Sequence, residues 1–309
     1  ATLSRPGGDA IGVRPLQTHF RALEGLGVKI EDNELIRMDG RPMRGNEITL
    51  EESSVTATEN AILAAVLAPG KTVIHLPACE PHVQELIALL RKMGADIRWR
   101  DVLILEIEGV RRLHGATHTI NADELEISSF SALAAATGSE ITLRGVDRRY
   151  LEAVLLQLGK MGVNVLLKGE VLAIAKPRSP YRAFRIQSGL YPKLGSDHLP
   201  PFAVLATQAE GESLIHDWLY EGRLGYIAEL RKMGADAKIL DQHRAVIAGR
   251  TKLTGCDMAS LDIRSGMTLL IAALAAEGRS TISDIGHIDR GYERIDERLR
   301  ELGANIRRA

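Results

Sequence analysis

The sequence predicts an α/β fold assembled from one repeated unit of roughly 70 residues. Three observations support this: a recurrent helix ending, a second glycine upstream of it, and alternating helix-like and strand-like apolar patterns. The recurrent ending closes on a glycine in segments such as LLRKMGADI, QLGKMGVNV and ELRKMGADA. This glycine stands at five positions: Gly27, Gly94, Gly162, Gly234 and Gly303. The upstream glycine precedes four of them by a nearly constant interval, at Gly70, Gly138, Gly211 and Gly278.

Each unit reads as helix, strand, helix, strand and strand, with a short leading strand. In one unit the apolar helix TENAILAAVLA comes first and the strand KTVIHLP follows Gly70. PHVQELIALLRKM then has apolar residues at helical spacing, and its closing glycine suits a C-cap because left-handed backbone costs glycine little. DIRWR and LILEIEG complete the unit as two strands. Such helices bury their apolar faces only against neighbouring sheets, so the units are expected to pack side by side.

The composition of the 309-residue chain excludes several classes of protein. Lysine and arginine total 39 against 40 aspartates and glutamates, so no overall field attracts nucleic acid or an anionic membrane. Two cysteines, Cys79 and Cys256, are too few for a disulfide framework. No apolar run approaches the ~20 residues of a membrane span, and no secretion signal is recognisable. We therefore predict a cytoplasmic protein.

Polar residues concentrate where helices begin, and repetition places equivalent loops on one face of the array. Helix N-termini expose unpaired N–H groups at the positive end of the dipole, so arginines and hydroxyls there favour an anion site. Most of the serines and aspartates suit plain N-caps equally well. Four arginines of these segments favour the anion site: Arg14, Arg223, Arg264 and Arg290.

Motifs for other chemistries are missing from the sequence. No His/Cys cluster has zinc spacing, no Walker-type glycine loop occurs, and Gly-x-Ser-x-Gly is absent. The sequence therefore gives no motif for zinc binding, for a nucleotide-binding glycine loop or for a serine hydrolase. Pro6-Gly7-Gly8-Asp9 has Asp9 at the tip of a glycine turn, which taken alone indicates an ordinary turn.

Two long motifs carry a resemblance to a known family. They are PGGDAIGVRPLQTHFRALEGLG near the start and HIDRGYERIDERLRELGANI at the end. Together they resemble the UDP-N-acetylglucosamine enolpyruvyl transferases, or 1-carboxyvinyltransferases, of the EPSP synthase superfamily. Order and spacing agree over all 309 residues. The shikimate-pathway members share the repeat but lack both motifs, so they match less well.

The resemblance implies two domains, each an inside-out α/β barrel of repeated βαβαββ units with pseudo-threefold symmetry. We expect residues 1–119 to be the remainder of the first domain and residues 120–309 to be the second, with three units. The N-terminal quarter of the family's chain would be absent, and with it a Lys-Asn pair and an arginine that contact the substrates. A missing N-terminal segment or a second chain would then complete the first domain. The oligomeric state stays open.

The implied activity transfers enolpyruvyl from phosphoenolpyruvate to the 3′-hydroxyl of UDP-N-acetylglucosamine, the first committed step of peptidoglycan synthesis. The hydroxyl adds to C2 while a proton goes to C3, and phosphate then leaves the tetrahedral intermediate. This chemistry needs an acid, a base and several cations, so the resemblance implies no metal and no cofactor. By resemblance, Asp197 takes the hydroxyl proton, and Asp9, Asp197 and Arg290 are the catalytic residues. The matches for substrate binding are Arg14, Pro15, Leu16, Ser54, Val55, Asp123, Glu126, Arg223 and Arg264.

Asp9 occupies the position where most members have the cysteine that fosfomycin alkylates. Some members carry aspartate there. A carboxylic acid can donate the proton if closure of a dry cleft raises its pKa, since desolvation disfavours the charged form. Because the thiol is absent, we predict insensitivity to fosfomycin.

Other positions depart from the family pattern. Gln17 replaces an aspartate, Glu124 replaces an arginine, and Pro200 and Pro201 belong to a stretch that replaces a glutamine-bearing segment. These positions bear on nucleotide recognition. An alternative function is therefore enolpyruvyl transfer to another nucleotide acceptor. A second alternative is a non-catalytic remnant or scaffold. The presence of Asp197 and the four arginines argues against it, because a scaffold would not need them.

Overall fold

The computed structural model describes residues 1–9, 11–12 and 14–308. The chain divides into two compact units. The first comprises Ala1–Gly8, Arg14–Ile120 and Leu190–Pro192. The second comprises Asp9–Val13, Asn121–Gly189 and Lys193–Ala309. Within the described residues, no helix combines the length and the apolar content that crossing a bilayer requires.

The first unit packs three helices against two sheets. The helices are α1 (Gln17–Gly25), α2 (Val55–Ala65) and α3 (Pro81–Lys92). The strands are β1 (Thr2–Leu3), β2 (Lys29–Asp32), β3 (Ile36–Asp39), β4 (Glu47–Thr49), β5 (Lys71–His75), β6 (Asp96–Asp101) and β7 (Ile104–Glu108). The larger sheet has the order β4-β5-β7-β6, in which β4 and β5 are parallel and the other pairs antiparallel. Its core joins Ile62, Ile74, Ile87, Leu105 and Ile107.

The second unit repeats this arrangement. Its helices are α4 (Glu124–Thr137), α5 (Glu152–Met161), α6 (Leu199–Thr207), α7 (Tyr226–Lys232), α8 (Ile263–Ala275), α9 (Gly286–Asp289) and α10 (Ile295–Glu301). Its strands are β8 (Ile141–Arg144), β9 (Asn164–Lys168), β10 (Val171–Ala175), β11 (Tyr181–Arg182), β12 (Arg185–Gln187), β13 (Ala209–His216), β14 (Asp236–Ile239), β15 (Arg244–Gly249), β16 (Asp257–Ala259) and β17 (Thr281–Ser283).

The strand order β12-β13-β15-β14 reproduces β4-β5-β7-β6, again with a parallel leading pair. A third sheet has the order β8-β10-β9, and β16 pairs with β17 in parallel. Helices α4, α6 and α8 contact one another at the centre of the unit. Every residue of α6 is buried, as a helix surrounded by other elements requires. The predicted α/β fold of repeated βαβαββ units is confirmed.

The glycines that defined the repeat share one backbone conformation. All nine have positive φ, between 66° and 100°. Gly162, with φ 84°, is the left-handed C-cap of α5, and its N–H donates to the carbonyl oxygen of Gly159. Glycine therefore recurs at the helix ends because the backbone there has positive φ, a conformation that residues with a side chain rarely adopt.

Two glycines of α5 should respond to alanine in opposite directions. Gly162→Ala forces a side chain into left-handed backbone and should lower the free energy of unfolding by about 1–2 kcal/mol. Gly159 lies inside the same helix, and an added Cβ meets no heavy atom within 4 Å. Gly159→Ala should therefore raise that free energy by about 0.5–1 kcal/mol. Urea unfolding of both variants checks the signs, and equal shifts would contradict the assignment of Gly162 as the C-cap.

Candidate active site

A group of charged side chains in the second unit surrounds the carboxylate of Asp197. Asp197 lies in the 3-10 turn Ser196–His198, directly before α6. Arg223 Nη1 lies 2.6 Å from its Oδ1, and Arg264 Nε donates to its Oδ2 at 2.9 Å. Arg223 opens the 3-10 turn Arg223–Gly225, and Arg264 lies in the first turn of α8. Three helical segments therefore begin around one carboxylate.

The two guanidinium groups control the ionisation of Asp197. Burial works to raise the pKa of Asp197, but Arg223 and Arg264 outweigh it and hold this pKa well below its usual range. Burial also opposes the charge of both arginines, yet Asp197 keeps the pKa of each above its ordinary value. The Asp197 side chain is 36% exposed, whereas those of Arg223 and Arg264 are 3% and 13% exposed. A ligand can thus reach an ionised carboxylate between two largely buried cations.

A capping box fixes the backbone that carries Arg264. Asp262 Oδ1 accepts hydrogen bonds from the N–H groups of Arg264 at 2.8 Å and Ser265 at 3.0 Å. Ser265 Oγ in turn accepts from the N–H of Asp262 at 2.8 Å. The reciprocal bonds satisfy N–H groups that the first turn of a helix leaves unpaired. The direction in which Arg264 leaves α8 is therefore set by local hydrogen bonds.

Tyr292 supports the other side of Arg264. Arg264 Nη1 donates to Tyr292 Oη at 3.2 Å, and the guanidinium carbon lies 5.6 Å from the centre of the ring. Burial raises the pKa of Tyr292, so its hydroxyl stays protonated. This hydroxyl also lies 3.0 Å from Ser129 Oγ of α4. Arg264 is therefore held by a neutral partner as well as by Asp197.

Asp9 and Arg290, both predicted to be catalytic, are brought together. Arg290 Nη1 donates to Asp9 Oδ1 at 2.7 Å, and His287 Nδ1 lies 3.9 Å from the same oxygen. The Asp9 side chain is only 13% exposed, while that of Arg290 is 52% exposed. The N–H of Gly222 donates to the carbonyl oxygen of Ile11 at 3.1 Å. The segment that carries Asp9 is thereby joined to the residue preceding Arg223.

Arg308, near the C-terminus, forms hydrogen bonds with two aspartates on either side of Arg290 in the sequence. Arg308 donates from both terminal nitrogens to Asp289, at 2.8 and 2.7 Å, and from one of them to Asp296 at 3.1 Å. Hydrogen bonding to Arg308 holds the pKa of Asp289 below its usual value. A cavity of about 680 Å³ opens here, with Arg290 and Tyr292 in its wall.

Asp123 and Glu126 have partners within the second unit. Asp123 is the N-cap of α4, where its Oδ1 accepts from the N–H of Leu125 at 2.8 Å. Glu126 accepts two hydrogen bonds from Arg298 of α10, at 2.7 and 2.6 Å. Both carboxylates therefore contribute to the packing of α4, and their predicted contacts with substrate stay a prediction.

The remaining predicted residues lie in the first unit, at the starts of two neighbouring helices. Arg14, Pro15 and Leu16 lead into α1, and Leu16 is its N-cap. Ser54 caps α2, accepting from the N–H of Ala57 at 3.4 Å, and Val55 begins that helix.

His19 of α1 holds the two helix starts together. Its Nδ1 lies 2.9 Å from Asn60 Nδ2, and its Nε2 lies 3.3 Å from Thr56 Oγ1, both on α2. Because the amide nitrogen can only donate, Nδ1 accepts and Nε2 carries the hydrogen.

Sequence reasoning missed several polar residues of the site. Ser196 and Asp217 are buried beside Arg223, and His198 is buried against Ser128 of α4, with its Nδ1 2.8 Å from Ser128 Oγ. Burial lowers the pKa of His198 to about 4, so this histidine is neutral at physiological pH. One usable signal was the pair Ser128 and Ser129 inside the otherwise apolar run ISSFSALAAA, because buried hydroxyls need partners.

The comparisons with known proteins agree with one another. The family described as EPSP synthase (3-phosphoshikimate 1-carboxyvinyltransferase) matches residues 2–299. UDP-N-acetylglucosamine 1-carboxyvinyltransferase of Treponema denticola is 41% identical over 314 residues, which cover 99% of this chain and 74% of the relative. The protein of the same name from Bacteroides fragilis is 40% identical over 321 residues, with coverages of 100% and 74%.

Solved structures give the same result. The enolpyruvyl transferase NikO from Streptomyces tendae superposes with a TM-score of 0.88 at 25% identity, over 99% of this chain and 73% of that one. EPSP synthase from Acinetobacter baumannii superposes with a TM-score of 0.74 at 21% identity, over 98% and 74%, which shows the shared fold. The identity to the named relatives and the family match over residues 2–299 establish that the chain belongs to the UDP-N-acetylglucosamine 1-carboxyvinyltransferases within the EPSP synthase family.

Proposed function

We propose that this protein transfers enolpyruvyl from phosphoenolpyruvate to the 3′-hydroxyl of UDP-N-acetylglucosamine and releases phosphate, the first committed step of peptidoglycan synthesis. The observation that carries the proposal is the ionised carboxylate of Asp197 between Arg223 and Arg264. The reaction removes a proton from a hydroxyl group while a phosphate and a carboxylate must be held close by. A base flanked by fixed cations suits both demands.

Three proton transfers follow from this assignment. In the addition, Asp197 takes the proton of the sugar hydroxyl, whose oxygen bonds to C2, while Asp9 gives a proton to C3. In the elimination, the Asp9 carboxylate takes a proton back from C3, the double bond between C2 and C3 forms again, and phosphate leaves with the electron pair of the broken bond between C2 and its oxygen. Arg290 has an ion pair with Asp9 that a bound phosphate would replace, leaving Asp9 free to carry the proton.

The arginines and the helix starts provide the binding groups. By their match to the family, Arg14, Arg264 and Arg290 are each assigned to binding the phosphate or carboxylate of phosphoenolpyruvate, and Arg223 is assigned to substrate binding. The first turns of α1 and α2 have backbone N–H groups that the helix itself leaves unpaired, which suits the phosphates of a nucleotide. The residues assigned there are Arg14, Pro15, Leu16, Ser54 and Val55. Asp123 and Glu126 are assigned to the acceptor, in addition to their contacts within the fold.

A further polypeptide is proposed to complete the first unit, either as an N-terminal segment or as a second chain. The support is apolar surface: Leu63 of α2 and Leu67 just after it are 48% and 49% exposed. The two leucines are four positions apart and so lie close together on one side of the helix end, and a contiguous exposed apolar surface marks an interaction site.

Phosphate release tests the function directly. The protein is mixed with phosphoenolpyruvate and UDP-N-acetylglucosamine, and each substrate is omitted in turn as the control. A second arm supplies the N-terminal segment of the Treponema denticola relative as a separate peptide. Release that needs both substrates supports the proposal, and release only in the second arm also identifies the completing segment. Absence of release in both arms, with substrates bound, favours the non-catalytic scaffold.

A second candidate keeps the chemistry and changes the acceptor. Gln17 is the first residue of α1, beside the residues assigned to the nucleotide, and Pro200 and Pro201 are buried in α6 next to Asp197. The same assay with UMP and other uridine nucleotides separates the two candidates. We expect the highest kcat/KM with UDP-N-acetylglucosamine, and a preference for another nucleotide would reassign the acceptor.

We expect the activity to resist fosfomycin, because the carboxylate of Asp9 stands where the drug would find a thiolate. Preincubation should leave the rate of phosphate release unchanged. The variant Asp9→Cys restores the thiol and should become sensitive, with a mass increase on the peptide that contains residue 9. A covalent adduct on Asp9 itself in the unaltered protein would contradict the prediction.

A further inference from the structure

A buried carboxylate next to the candidate active site has no role in the scheme above. Asp217, the residue after β13, is 1% exposed. Its Oδ1 accepts hydrogen bonds from Ser188 Oγ at 3.0 Å and from the N–H groups of Leu219 at 3.1 Å and Tyr220 at 3.4 Å. Its Oδ2 accepts a hydrogen bond from Ser196 Oγ. One oxygen thus organises the following turn, and the other reaches the turn that carries Asp197.

Chemistry fixes the direction of the hydrogen bonds around Ser196. Arg223 Nη1 lies 2.9 Å from Ser196 Oγ and can only donate, while the carboxylate of Asp217 can only accept. The single hydroxyl hydrogen of Ser196 must therefore point to Asp217. The same Nη1 of Arg223 lies 2.6 Å from Asp197 Oδ1. A directed chain thus runs from Asp197 through Arg223 and Ser196 to Asp217.

We infer that Asp217, acting through Ser196, is a positioning residue that sets the place of the Arg223 guanidinium and thereby the orientation of the Asp197 carboxylate. The inference rests on the proposed role of Asp197 as the base. Ser188, Ser196 and Asp217 are at most 3% exposed, so water does not compete for these bonds. Arg223 depends on them because its Nε has no partner among the described residues. Its placement therefore relies on the bonds made by Nη1 and on the ring of Tyr220, whose centre lies 5.4 Å from the guanidinium carbon.

The two oxygens of Asp217 allow positioning to be separated from general support of the fold. Ser188→Ala removes a bond to Oδ1, together with the bond that Ser188 Oγ accepts from the N–H of Trp218 at 2.8 Å. It removes no atom that contacts Arg223. Ser196→Ala removes the bond to Oδ2 and the acceptor for Arg223. Both variants delete one buried hydroxyl next to the same carboxylate, so they form a matched pair.

We expect Ser196→Ala to lower kcat by roughly 10- to 100-fold, because small misplacements of reacting groups carry penalties of this order. KM for both substrates should change by less than about 3-fold, and Ser196→Thr, which keeps a hydroxyl, should recover most of the loss. Ser188→Ala should lower the melting temperature while kcat stays within about 2-fold. A Ser196→Ala enzyme with unchanged kcat, or an equal loss in both variants, would overturn the inference.

A second measurement does not need turnover. Carbon-13 NMR of the aspartate carboxyl groups follows the titration of Asp197, with Asp197→Asn to assign the signal. If Asp217 positions Arg223, Ser196→Ala loosens the contact that keeps Asp197 ionised, and its titration should move to higher pH. Ser188→Ala should leave it in place. An unmoved titration in Ser196→Ala would reject the inference even if the protein released no phosphate, whereas a moved titration in an inactive protein would count only against the proposed function.

Discussion

Asp197→Asn is expected to lower kcat by about 10²–10⁴-fold, the usual contribution of a positioned base, while UDP-N-acetylglucosamine still binds. The amide cannot accept the hydroxyl proton. It also turns an NH₂ group towards Arg223 or Arg264, both of which now contact a carboxylate oxygen. Steady-state phosphate release measures the loss, and calorimetry with the nucleotide sugar measures binding.

The control variant is Asp147→Asn. Asp147 also makes an ion pair with an arginine, Arg149, and caps the 3-10 turn Arg148–Tyr150, but it belongs to no part of the candidate site. We expect kcat to be unchanged there. Folding of Asp197→Asn must be checked by its melting temperature, since two arginines lose a counter-charge. A correctly folded variant with normal turnover would remove Asp197 from the role of base.

The pH dependence follows from the position of Asp197 between the two arginines. In the free protein its pKa lies well below the usual range, so the carboxylate is ionised over the physiological range but weakly basic. The acid limb of kcat/KM that Asp197 causes should therefore lie below the ordinary aspartate pKa of about 3.9. When phosphate or carboxylate groups of the substrates engage Arg264, Asp197 loses part of its neutralising charge and becomes a stronger base. We therefore expect the acid limb of kcat at higher pH than that of kcat/KM.

The fold could be predicted because the repeated residues reflect local backbone conformation. Gly162 and its equivalents need left-handed backbone, and the apolar runs around them fit helices that face other elements, as α6 does. The beginnings of the helices were likewise visible as clusters of polar residues. Such features are local, so they can be read from residues close together in the sequence.

The convergence of side chains was not predictable. Arg223 and Arg264 were expected at helix starts, but only the fold shows that both contact the carboxylate of Asp197. Asp9 contacts Arg290 across almost the whole length of the chain. Asp217 looked like any loop aspartate, because its hydrogen-bond partners come from the residue after β12, the turn that carries Asp197 and its own loop. Residues that act through others carry no motif of their own.

Asp9→Asn is expected to lower kcat by about 10²–10⁴-fold, again the range for general acid–base catalysis. Asparagine keeps the size of the side chain and an oxygen for Arg290 Nη1, which now donates at 2.7 Å. It cannot deliver a proton to C3 of phosphoenolpyruvate. Binding of the nucleotide sugar should persist, since the residues assigned to the nucleotide belong to α1, α2 and the segments before them.

Hydrogen exchange at C3 distinguishes loss of the acid from general damage. In heavy water with both substrates, the unaltered protein should place deuterium at C3, because the addition protonates this carbon and the elimination removes a proton from it. Asp9→Asn should stop this incorporation, and Asp9→Cys should retain it because a thiol can also donate. If Asp9→Asn incorporates deuterium at the normal rate, another group protonates C3, and Asp9 is left only as the partner of Arg290. Loss of exchange in the asparagine variant and its retention in the cysteine variant would locate the proton donor at residue 9.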